Sequence, residues 1–165
     1  MGLINAEDYF DLVVKGFAGK NVEEAEDMTV FSEEIFKIQW VNRLRFNSYV
    51  ALADRLDEDI MRNYANRCYY LAKKRRNLMG EPVVCNAVAI SEDVSQGAID
   101  LALGKPSIHM TIDAYPVVVD LRRMETYYYT GPIPLRILFN RFERDYIDGH
   151  FALPLRILKD KQTPL

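Results

Sequence analysis

The stretch from Ile60 to Gly80 holds six cations and no anion in twenty-one residues. Wound as a helix at about 100° per residue, it divides into two faces. Ile60, Met61, Tyr64, Ala65, Cys68, Leu71, Ala72, Leu78 and Met79 share one arc. Arg62, Asn63, Asn66, Arg67, Tyr69, Tyr70, Lys73, Lys74, Arg76 and Asn77 share the other. The fold must therefore supply an apolar surface for the first arc. The second arc needs solvent, a partner or the chain's own carboxylates.

The elements around it predict an α+β protein. Phe10, Val13, Val14 and Phe17 recur at helical spacing in the N-terminal segment, and an acidic connection follows over residues 19–30. Ser32 is placed to cap a second helix that runs to about Leu56, with apolar residues almost all round, as for a helix covered on more than one side. Asp57 caps the basic helix, and Gly80 with Pro82 ends it. A long helical hairpin over about 32–80 results. After Pro82 the chain turns β-branched. Pro82–Ile90 reads as a strand, Ser91 opens a short helix at about 92–103, and Ile108, Met110 and Ile112 alternate with polar residues. Tyr127, Tyr128 and Tyr129 alternate in the same way, which leaves at least one ring exposed. Pro134–Leu138 and Pro154–Leu158 repeat the five residues Pro-Leu-Arg-Ile-Leu and read as two strands, with Asp148-Gly149 as a hairpin signal between them. The expected whole is a single domain over 1–165. Its helical part, 1–80, packs on a mainly antiparallel sheet built from 81–165.

Charge is distributed in blocks. Residues 1–36 carry nine acids and two bases, and residues 37–80 carry ten bases and four acids, while the whole chain is only −3. Blocks of this kind pair within the fold or point at partners. Arg62, Arg67, Tyr69, Tyr70, Lys73, Lys74 and Arg76 are accordingly the candidate partner- or anion-binding residues. Tyr and Arg are enriched at protein interfaces. Lys and Arg with a stacking Tyr also suit a nucleic-acid strand.

His109-Met110-Thr111 lies on one of the expected strands. A strand bearing His-x-Thr resembles half of the motif of the 2H phosphoesterase superfamily. That resemblance implies two such strands facing each other across a cleft, one histidine acting as base and the other as acid. His150 is the only other histidine, and its segment His150-Phe151-Ala152 lacks the hydroxyl residue. His109, Thr111 and His150 are the catalytic candidates on this reading.

Other chemistry finds no support in the sequence. Cys68 and Cys85 are too few and too far apart for a zinc site or a disulfide scaffold, and no metal-binding spacing or phosphate-binding glycine loop appears. No metal and no cofactor is expected. No apolar run reaches the ~20 residues of a membrane span. Glu7, Asp8 and Asp11 interrupt any signal-peptide pattern, so a cytoplasmic location is the expectation. The functional expectation is a non-catalytic interaction or assembly component, in a homo-oligomer or a larger complex. A nucleic-acid-binding accessory and a small hydrolase centred on His109 are the alternatives.

Overall fold

The computed structural model describes residues 5–35, 44–75, 83–108, 112–132 and 137–162. Helix α1 (Ala6–Gly16) is followed by strands β1 (Asn21–Ala25), β2 (Met28–Ile35) and β3 (Leu44–Leu52). Helix α2 (Glu58–Lys74), strand β4 (Val83–Ser91) and helix α3 (Gln96–Leu103) come next. Strands β5 (Ser107–Ile108), β6 (Ile112–Asp120) and β7 (Glu125–Tyr127) complete the sheet. Helix α4 (Ile137–Ile147) then runs through a π-helical turn (Asp148–Ala152) into α5 (Leu153–Gln162).

The sheet order is β1-β2-β3-β4-β6-β5, and β7 also pairs with β6. β3, β4 and β6 are parallel, while β1, β2, β5 and β7 join them antiparallel. The expected arrangement of N-terminal helices on a mainly antiparallel C-terminal sheet is therefore incorrect. Helices and strands interleave, and strands from both halves of the chain share one mixed sheet.

The error has a physical origin in β2 and β3. Along β3, Leu44, Phe46 and Val50 face one layer of helices, and Tyr49 faces the other. A strand covered on both faces is apolar in every direction, as is a helix covered all round, and periodicity cannot separate the two. The expected helical hairpin over 32–80 thus reduces to α2 alone. Residues 36–43 and 76–82 lie outside the described residues.

α2 itself begins as expected, with the Asp57 carboxylate accepting from the Ile60 amide at 2.9 Å. The cap of α3 is Ser95, whose hydroxyl accepts from the Ala98 amide. Ser91, expected to open that helix, is the last residue of β4. Residues 154–158, expected as a strand, lie in α5, and Asp148-Gly149 begins the π-helical turn instead of a hairpin. Proline suits the first turn of a helix as well as a strand start. Leu155 faces the core and Leu158 packs against it, while Arg156 and Ile157 point outward.

Two cores sandwich the sheet. On one side α1, α4, the π turn and α5 bring Tyr9, Val13, Phe17, Tyr146 and Phe151 onto Phe31, Phe46, Val84 and Val117. On the other side α2 and α3 cover Cys85, Ala87 and Ala89 of β4 with Met61, Cys68, Ala98 and Ala102. The crossovers β3-α2-β4 and β4-α3-β6 advance in the same direction, so both helices land on this one face. Small side chains on β4 let them sit close to the sheet.

Candidate interaction surface on helix α2

The first charge block folds back onto the second. β1 and β2 form a tight hairpin with Glu26 and Asp27 at its tip, and Glu26 is held at φ +60°. Left-handed backbone is disfavoured for a residue with a Cβ. Here both carboxylates at the tip reach Arg67, whose Nε donates to Glu26 Oε2 at 2.7 Å and whose Nη1 donates to Asp27 Oδ2 at 3.3 Å. The paired guanidinium holds the Asp27 carboxyl below its ordinary range, and the two carboxylates raise Arg67 further above neutrality. Two turns along α2, Arg75 Nη1 lies 2.9 Å from Glu23 Oε2. Arg62 pairs within α2 to Glu58, one turn back.

Three cations of the basic helix are thus engaged by the chain's own carboxylates. Lys73 and Lys74 are exposed, with no ion pair to any described residue. Tyr70 is 60% exposed and meets the edge of Tyr69, centroids 5.5 Å apart. Arg76 lies outside the described residues. The outer surface of α2 therefore carries an exposed phenol and two lysines. Beside it runs the acidic hairpin, where Glu23, Glu26 and Asp27 meet only two arginines, while Glu24 turns to the opposite face and accepts from the Thr29 hydroxyl at 3.1 Å.

Below the clasp a groove of about 370 Å³ opens between the hairpin tip, the end of β3 and α2. Leu52 and Ile60 lie on it with 47% and 43% of their surface exposed. Apolar side chains left open beside a charged rim are the composition of a contact surface.

Of the catalytic candidates, His150 alone lies among the described residues. Residues 109–111, which hold His109 and Thr111, lie outside the described residues. His150 stands on the π-helical turn instead of a strand. Its ring stacks on Phe17 at 4.0 Å and 12°, and its Nε2 lies 3.4 Å from Glu33 Oε2. Glu33 also pairs with Lys20. Burial holds the imidazole below its ordinary pKa, against the pull of the Glu33 charge. Beside it the Tyr146 and Ser48 hydroxyls are 3.1 Å apart, and the Asn86 amide donates to Ser48 at 3.4 Å. Nothing in the sequence flagged this buried polar row, because β2, β3, β4 and α4 reach it from distant parts of the chain.

The two thiols are buried, and burial pushes Cys68 up to about 12 and Cys85 well above its ordinary value, so neither is a thiolate at neutral pH. Of the three tyrosines at 127–129, Tyr128 is buried and its neighbours are half-buried, so the exposed ring expected there is absent. Among the described residues no cluster of His, Cys, Asp and Glu is placed to hold a metal ion, and no helix is long and apolar enough to cross a membrane. Neither a protein-family model nor a curated protein matches this chain.

Proposed function

We propose that the protein is an assembly component that associates with a second copy of itself through the outer face of α2 and the adjoining β1–β2 hairpin. The observation that carries this reading is the pair of adjacent stripes of opposite sign. Two cations, Lys73 and Lys74, are in excess on α2, and on the hairpin face beside them three carboxylates (Glu23, Glu26 and Asp27) share two arginines, which leaves one in excess. Side-by-side stripes of opposite charge are self-complementary under a two-fold axis, because each basic stripe then meets the partner's acidic one. Tyr70, Leu52 and Ile60 supply the apolar contact that charge alone lacks.

Light scattering over a range of protein concentrations tests the proposal. The expected mass approaches twice 19.1 kDa and falls as salt is added. Tyr70→Glu is expected to give the single-chain mass with an unchanged circular dichroism spectrum. A single-chain mass for the wild type at every concentration would exclude self-association.

A second reading, single-stranded nucleic acid on the same helix, draws on Tyr70 as a stacking face between cations. It is the weaker one. Phosphate binding scales with the number of cations available, and the acidic hairpin lies against the same stripe. Fluorescence anisotropy of a labelled oligonucleotide at low salt distinguishes the two: binding lost on Lys73→Ala and Lys74→Ala favours this reading.

A further inference from the structure

The other flank of α2 faces away from the hairpin, and there α2, α3 and β6 enclose a cleft of about 190 Å³. Its inner surface is small and apolar: Ala65 from α2, Leu101 from α3, and Ala114 and Pro116 from β6. The polar groups around it are Arg62, Asn66 and Tyr69 from successive turns of α2, with Lys105 at the exit of α3. No Asp or Glu lines the cleft among the described residues.

We infer that this cleft binds a small organic anion, one phosphate or carboxylate head on a compact apolar body. The charge of the lining admits nothing else as readily, because two cations, an amide and a phenol line the site and the one carboxylate bonded to them, Glu58, is already paired with Arg62. Its size is below the roughly 300–1,000 Å³ of sites for drug-sized molecules, so the body is small. Lys105 is exposed and has no ion pair among the described residues. Among the described residues Arg62 is held by Glu58 alone, in an exposed pair on one helix that is easily exchanged for a better acceptor. Buried Pro106 and the helix cap at Gly104 fix the backbone on either side of Lys105. The cleft adjoins the assembly surface, because Tyr69 meets Tyr70, while Arg67, Arg75 and the hairpin lie on the opposite flank.

The test uses the full chain, labelled with ¹⁵N, and phenyl phosphate as probe, with phenol and inorganic phosphate supplying the body and the head separately. Phenyl phosphate is expected to give saturable shifts centred on Asn66, Tyr69 and Lys105, stronger than either fragment. Arg62→Ala with Lys105→Ala is expected to weaken binding by about tenfold or more for each cation removed. Both positions are exposed, so the fold is retained, and Asn66→Leu provides a variant with all charges kept and a weaker affinity. Absence of saturation, full affinity in the double variant, or shifts centred on Lys73 and Lys74 would overturn the assignment. The assembly reading stands or falls separately, on the mass of the ligand-free protein.

Discussion

Arg67 of α2 closes on Asp27 at the tip of the β1–β2 hairpin, forty residues earlier in the chain. The contact ties the edge of the sheet to the helix that crosses its face. It converts two charge blocks that look independent in the sequence into one mixed surface.

Cutting that tie has a readable consequence. Asp27 is depressed in the folded state, so its contribution to stability is present above the unfolded carboxylate pKa and is lost as pH falls through the folded value. In Arg67→Ala the Asp27 carboxyl is expected to return to the ordinary range in an NMR titration. Amide exchange in β1 and β2 is expected to accelerate while β4 and β6 keep their protection. An unchanged Asp27 titration would mean that the clasp does not persist in solution.

His150 gives stability a second pH dependence. Its folded pKa is lowered by burial between Phe17 and Tyr146, so between the folded value and about 6.5 the unfolded chain binds a proton that the folded one refuses. The charged groups facing it are Glu33 and Lys20. Stability is therefore expected to be complete above about pH 6.5 and to decline below it. Chemical denaturation of His150→Phe across this window should show a shallower slope than the wild type. Equal slopes would remove His150 from the account.

A buried hydrogen bond runs from α1 to the π-helical turn, from the Tyr9 hydroxyl to the Phe151 carbonyl at 2.8 Å. Tyr9→Phe keeps the ring and removes the donor. The expected loss is about 1–2 kcal/mol in urea denaturation, the usual effect of stranding a buried acceptor. A loss below about 0.3 kcal/mol would show that the carbonyl finds another donor.

On the opposite face Ala87 is fully buried beneath α2 and α3. Ala87→Leu forces extra volume into a layer built from Cys85, Ala89, Ala98 and Ala102, and is expected to destabilise by about 1–3 kcal/mol. A neutral result would show that the layer has room to spare.

Some of this architecture was legible in the sequence. The periodicity of α2 and its Asp57 cap, the β-branched run of β4 and the spacing of α1 each survive folding. β3 did not read as a strand because helices cover both its faces, and β2 did not because Ser32, Glu33 and Glu34 form the pattern of a helix start. β4, covered on both faces too, is set apart by its β-branched run after Pro82. The hairpin tip at Glu26–Asp27 contains no Gly or Asn and gave no turn signal. Candidate residues Arg67, Tyr70, Lys73 and Lys74 were visible from composition. Which of them the hairpin neutralises depends on register and topology, which charge counting does not contain. That Lys105 lines the same cleft as Arg62 depends on how α2, α3 and β6 pack, which the sequence does not show.

Two-fold association through opposed stripes is measured most directly by a charge exchange between two variants. Lys73→Glu/Lys74→Glu opposes like charges in its own dimer, as does Glu23→Lys/Glu26→Lys. Mixed, they restore opposite signs at both halves of the interface. Light scattering is expected to give the single-chain mass for each variant alone and twice that mass for the equimolar mixture. A mixture that stays at the single-chain mass, or variants that still dimerise alone, would contradict the account.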